Sequence, residues 1–116
     1  MRIKINEVAY HLPDGVETNE ELSGAKPDWD LRRVESSTGV LSRHIAASDE
    51  TALDLAFQAC EKLLKANPDL KNMIDGIIFC TQSEDYVMPA NSSVLHDKLG
   101  LKESVFALDF NLACSG

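Results

Sequence analysis

Two short, almost unbroken apolar runs constrain this chain more than any other feature. One contains Ile74, Ile77, Ile78, Phe79 and Cys80; the other runs from Val105 to Leu108, with a strand ending at Asp109. Apolar runs of this length read as strands, and strands without alternation read as covered on both faces. The segment between them has helical character. Pro89 suits its first turn, Val94, Leu95 and Leu99 fall on one inner side, and Gly100 is placed to stop it. Two buried strands joined through a helix need a crossover, and a crossover places them parallel.

A second helix precedes the first run. Leu53, Ala56, Phe57, Cys60, Leu63 and Leu64 recur at helical spacing, with Asp54, Gln58, Glu61, Lys62 and Lys65 opposite. The pattern predicts a helix from Ser48, capped by that serine with Asp49 and Glu50 in the first turn, and stopped by Asn67-Pro68. Further upstream, residues 2–10 alternate polar and apolar and predict a strand, ended by Pro13-Asp14-Gly15. Thr18 or Asn19 caps a short helix, and Asp28 to Val34 forms another after Pro27. Ser36-Ser-Thr-Gly39 is expected to break that helix, leaving Val40 to Ala47 irregular or extended. The order strand, helices, strand, helix, strand makes the chain α/β, with helices layered on a mixed, mainly parallel sheet. No repeat, low-complexity tract or linker interrupts it.

At 116 residues the chain is long enough for one domain and too short for two. Nineteen acidic against eleven basic residues leave a net charge of -8. That charge opposes binding to nucleic acid or an anionic membrane surface. No apolar run approaches the ~18 residues of a membrane span. Met1 to Glu7 lacks the apolar core of a signal peptide. Three cysteines without close pairing fit a reducing cytoplasm better than a disulfide framework. No CxxC or Cys/His cluster has zinc-ligand spacing, so no zinc site is expected; no cofactor is expected either.

The second apolar run leads into Asp109-Phe-Asn-Leu-Ala-Cys-Ser-Gly116. Small residues flank Cys114, as suits a thiol that a substrate must reach. A helix beginning after Gly116 would stabilise a thiolate there, and backbone N–H groups would hold an oxyanion. Cys60, on the inner helix stripe, and Cys80, in the first apolar strand, read as packing residues. His11, His44 and His96 read as structural or surface residues. Glu17, Glu20 and Glu21 read as a solvated face.

The ending Asp109 to Gly116 resembles the nucleophile motif of the β-ketoacyl-acyl-carrier-protein synthase III family, condensing enzymes of the thiolase superfamily. Thr38-Gly-Val-Leu-Ser-Arg-His-Ile-Ala46 and Asp75-Gly-Ile-Ile-Phe-Cys-Thr-Gln82, followed by Pro89, match in the same order. The resemblance runs from Ile3 to Gly116. It implies the N-terminal half of a thiolase-like fold, residues 1–116, ending just past the nucleophile with the C-terminal half absent. A catalytic His and Asn would belong to that missing half.

The resemblance further implies that Cys114 is the nucleophile and that the partners are acyl-coenzyme A, malonyl-acyl carrier protein and a second copy in a homodimer. Met88 would reach across the dimer interface to line the partner's acyl pocket. Trp29 would stack on the coenzyme A adenine. Here the sequence departs from the family pattern: the gap from Trp29 to Thr38 is long, and Ser37 stands where an Arg usually precedes Thr-Gly. Arg32 or Arg33 is then the cation left for a phosphate. The 116 residues alone are expected to be inactive. Two other readings keep the same α/β architecture: acyl transfer onto a small nucleophile in a specialised metabolic or surface-polysaccharide pathway, or a non-catalytic dimerising module.

Overall fold

The structure, a computed structural model, describes residues 2–115. They form two compact units, one of residues 12–49 and one of residues 2–11 with 50–115.

In the larger unit, β3 (Gly76–Cys80) pairs in parallel with β4 (Phe106–Phe110), from Gly76 opposite Phe106 to Cys80 opposite Phe110. The crossover between them carries α5 (Asn91–Lys98), as the two apolar runs require. Helix α3 (Ala52–Ala66) brings its stripe onto this unit. Leu53, Phe79, Leu95, Leu99, Leu101 and Val105 form the core, with Ala56, Phe57, Cys60, Leu64 and Ile77 packed around them. Burial raises the pKa of the Cys60 thiol above its ordinary value, because it disfavours the thiolate.

Helix α3 begins later than Ser48. Thr51 is its N-cap: its hydroxyl accepts from the Asp54 N–H at 3.2 Å, and Asp54 accepts in return from the Thr51 N–H at 3.2 Å. This reciprocal box satisfies two orphan donors together, which Ser48 with Asp49 and Glu50 does not do. Lys98 donates to Asp54 at 3.1 Å and lies over the Phe57 ring, 5.4 Å from its centre. The Lys98 hydrogen bond and the Thr51 N–H hold the Asp54 carboxyl below its ordinary pKa. A one-turn helix, α4 (Leu70–Met73), lies between α3 and β3, where no helix is predicted.

The expectation that both strands are covered on both faces is met on one face only. Ile77, Phe79, Ala107 and Asp109 face the helices, whereas Ile78, Cys80, Phe106, Leu108 and Phe110 are exposed. Cys80 is therefore an exposed thiol and not a packing residue. An apolar run records that a strand is meant to be covered; it does not supply the covering layer.

Residues 2–10 form no strand. Ile3, Ile5, Val8 and Tyr10 are exposed, and the Lys62 ammonium donates to the Tyr10 carbonyl at 3.3 Å. Alternation makes a segment able to pair, but a strand exists only with a partner, and none lies among the described residues.

In the smaller unit, β1 (Gly15–Thr18) pairs antiparallel with β2 (Ser42–Ile45). β1 is not predicted, since Gly15 is read as a turn; β2 falls within 40–47, expected to be irregular or extended, though no pairing is predicted for it. Four-residue strands whose side chains are mostly exposed show no clear period, and their pairing spans more than twenty residues of sequence. Helix α1 (Asn19–Ala25) starts at a Thr18 cap, with Glu21 closing the box. That bonding lowers the pKa of Glu21. Glu17 pairs with Arg43 at 3.0 Å. Two of the three glutamates read as a solvated face are thus engaged.

Helix α2 (Leu31–Thr38) is capped by Asp30, which accepts from the Arg33 N–H at 3.1 Å. It runs through the serines expected to break it. Ser37 and Thr38 hydroxyls donate back to the Arg33 and Val34 carbonyls, each at 2.7 Å, so their polar groups are satisfied inside the helix. Gly39 ends it at φ +72°, a left-handed conformation that glycine adopts without penalty.

Candidate active site

The carboxyl ends of parallel strands are where α/β sheets place ligands. Cys114 lies just past that end of β4, in the short 3-10 turn Ala113–Ser115, and is exposed. Ala113 enters the turn at φ +50°, and the Ser115 N–H donates to the Leu112 carbonyl at 3.0 Å. Residues 111–115 are all exposed, so the thiol sits on an open arm. Gly116 lies outside the described residues.

The base of this arm is bonded to the segment 81–92. The Thr81 N–H donates to the Phe110 carbonyl at 3.1 Å, extending the ladder one residue past β3. The Asn111 amide donates to Glu84 at 3.3 Å. Asp109 accepts from the N–H groups of Asn91 and Ser92 at 2.9 and 2.8 Å, one on each carboxylate oxygen. Those residues begin α5, whose own N-cap, Ala90, has no side-chain bond to offer. Asp109 therefore caps α5 from another element. Asn91, fully buried, accepts from the Asp85 N–H at 3.2 Å and donates to the Asp85 carboxylate at 3.4 Å.

Between these anchors the segment projects Tyr86, Val87 and Met88 outward; Val87 is 97% and Met88 85% exposed. Met88 precedes a cis Pro89, and the helix starts two residues later than Pro89 itself, at Asn91. A cavity of about 210 Å³ lies here, lined by Thr81, Glu84, Tyr86, Val87, Asp109 and Phe110. Cys114 and Met88 thus belong to one unit, at the same end of its sheet.

Trp29 and Arg32 belong to the other unit, where they line one open groove of about 420 Å³ with Asn19, Glu20, Asp30 and Glu35. Trp29 is 57% exposed, which leaves a ring face for stacking. Three carboxylates share the groove with the single Arg32 guanidinium. The Arg33 side chain is not among the groove's lining residues.

The histidines are placed elsewhere. His96 Nε2 bonds the Lys102 carbonyl at 3.0 Å, ahead of β4 and so at the opposite end of the sheet from Cys114. His44 Nδ1 bonds the Pro13 carbonyl in the smaller unit. His11 Nδ1 is buried without a hydrogen-bond partner among the described residues. Among the described residues, no group of three His, Cys, Asp or Glu side chains is gathered that would hold a metal ion. No described helix is long and apolar enough to cross a membrane.

Sequence reasoning missed Asp109, Asn91 and Asp85. The signal was a charged residue closing an otherwise apolar strand, whose carboxylate needs donors from another element.

The parallel β–α–β unit and its packed helices are thiolase-like in fold, as comparison with solved structures shows. A crystal structure of a 3-oxoacyl-(acyl-carrier-protein) synthase III superposes with a TM-score of 0.84 at 42% identity, covering 95% of this chain and 33% of that one. A tetronic acid condensing enzyme superposes with a TM-score of 0.76 at 28% identity, covering 93% and 34%. The β-ketoacyl-[acyl-carrier-protein] synthase III of Oenococcus oeni is 37% identical over 117 residues, 98% of this chain and 34% of the relative. No family model matches the chain. The chain is homologous to the N-terminal part of β-ketoacyl-[acyl-carrier-protein] synthase III, and spans about a third of the length of the curated relatives it matches.

Proposed function

We propose that this chain is the nucleophile-bearing portion of a 3-oxoacyl-acyl-carrier-protein synthase III. The observation that carries this reading is the exposed Cys114 on its turn past β4, within a chain homologous to those enzymes over nearly its whole length. The Cys114 thiolate attacks the carbonyl carbon of an acyl thioester, and the oxyanion collapses to expel the carrier thiolate, leaving an acyl-cysteine. A malonyl thioester then loses carbon dioxide. Its carbanion attacks the acyl-cysteine, forming the new carbon–carbon bond and releasing the Cys114 thiolate with a 3-oxoacyl product.

In this reading Trp29 stacks on the coenzyme A adenine and Arg32 meets a phosphate. The exposed Met88 reaches into the acyl pocket of a second copy in a cytoplasmic homodimer. The catalytic His and Asn belong to the remainder of the complete enzyme, so the 116 residues alone turn over nothing.

The test is intact mass of the complete enzyme after incubation with acetyl-, butyryl- and octanoyl-coenzyme A, beside a Cys114→Ser control. One acyl adduct per chain, lost in the control, is the expected result; the absence of any adduct from coenzyme A or carrier donors overturns the reading. A second reading is acyl transfer onto a small nucleophile in a specialised pathway, favoured by the three carboxylates that share the Trp29 groove. Product analysis with a malonyl thioester separates the two, because only condensation gives a 3-oxoacyl chain.

A further inference from the structure

We infer that Asp109 is a positioning residue for Cys114, acting through a latch that joins the nucleophile arm to the segment 81–92; this rests on the reading of Cys114 as nucleophile. The arm has little else to hold it. Residues 111–115 are exposed and, among the described residues, their turn is closed by one local backbone bond, so the line along which the Sγ atom approaches a carbonyl is set where the arm leaves β4.

At that point Asp109 takes one N–H on each carboxylate oxygen, from Asn91 at 2.9 Å and Ser92 at 2.8 Å. Two bonds from successive amides fix both the distance and the rotation of the strand end relative to α5. Asn91 and Ser92 are fully buried, so water does not compete for these bonds. The latch continues outward: the Asn91 side chain clasps Asp85 through two further bonds, and Asn111 reaches Glu84 at 3.3 Å. The carboxylate therefore sets two things at once, the base of the Cys114 arm and the segment carrying Tyr86, Val87 and Met88 beside it. An asparagine at 109 presents one oxygen and one N–H₂ group to two N–H donors. One donor is left unpaired, and the strand end is free to rotate.

The test compares unaltered, Asp109→Asn and Asn111→Ala forms of the complete enzyme. Acylation of Cys114 is followed by rapid-quench mass spectrometry across a range of acyl thioester concentrations. For Asp109→Asn the expected result is a limiting rate lower by roughly tenfold or more, since misplacing a reacting group by ~1 Å costs on that scale. The half-saturating concentration stays within about twofold and the final adduct stays at one per chain. A merely structural role would lower the adduct per chain through unfolding and leave the rate of the folded fraction unchanged; that result overturns the inference.

Where Asp109→Asn does not fold, Asn111→Ala decides. It removes an exposed tie of the same latch, and a limiting rate about threefold lower supports the inference while an unchanged rate overturns it. An unaltered enzyme that forms no adduct identifies a failure of the nucleophile reading itself, and the inference falls with it. Adducts formed at equal rates in all three forms leave that reading standing and overturn only the latch.

Discussion

Cys114 and Cys60 place the same thiol in opposite settings. Cys60 packs against the core, where burial raises its pKa and keeps it protonated to higher pH; Cys114 and Cys80 are exposed. An alkylating reagent needs both access and thiolate. At neutral pH, labelling of Cys114 and Cys80 is expected to outpace Cys60 by more than about tenfold, read residue by residue from peptide masses. Comparable labelling of Cys60 would mean that the core around α3 is not closed. At the Trp29 groove, Trp29→Ala in the complete enzyme is expected to raise the acyl-coenzyme A concentration needed for half-maximal acylation about tenfold, with the limiting rate unchanged. An unaltered half-saturation would refute the proposed stacking of Trp29 on the adenine.

Elements divide sharply by which face they bury. Leu95 is 3% exposed within the core, whereas Ile78, on the open face of β3, is 62% exposed. Leu95→Ala is therefore expected to cost about 3 kcal/mol in denaturant unfolding. Ile78→Ala should cost under ~1 kcal/mol, because little contact area is lost. Equal losses would show that the open face of the sheet is covered in solution. The start of α3 has its own pH signature. The folded pKa of Asp54 is depressed below its ordinary 3.8, by Lys98 first and then the Thr51 N–H. Its stabilisation is thus full above that ordinary value and fades as pH falls through the lower, folded one. Because the pair is partly exposed, the contribution is small, about 1 kcal/mol with the cap included. Asp54→Asn should remove it and flatten the acid limb of the unfolding curve; an unchanged acid limb would refute the assignment.

At the scale of the whole molecule, the open face gathers Ile78, Phe106, Leu108 and Phe110 on one side of a two-stranded sheet. Such a surface is expected to bind an environment-sensitive apolar dye. Substituting Leu108 and Phe110 by Ser should abolish that binding without loss of secondary structure, as followed by fluorescence and circular dichroism. Much of this was legible beforehand. The α3 stripe, the β3–α5–β4 order and the parallel pairing follow from local apolar periodicity and crossover rules, and the reachable Cys114 from its small neighbours, all of which need only neighbours in sequence.

The rest depended on partners far along the chain. Residues 2–10 carry a strand's alternation without a pairing partner among the described residues, and the exposed strands β1 and β2 are defined by a ladder more than twenty residues apart. The box at Thr51 displaces the expected Ser48 cap because its two bonds close reciprocally. By itself the sequence determined the α3 helix, the β3–α5–β4 order and the reachable thiol of Cys114, since periodicity and side-chain size act locally; it did not show that Cys80 is exposed as well. Only the tertiary structure decided that Asp109 caps α5 beneath the Cys114 arm, because a carboxylate's bonding partners are set by where other elements place their free N–H groups.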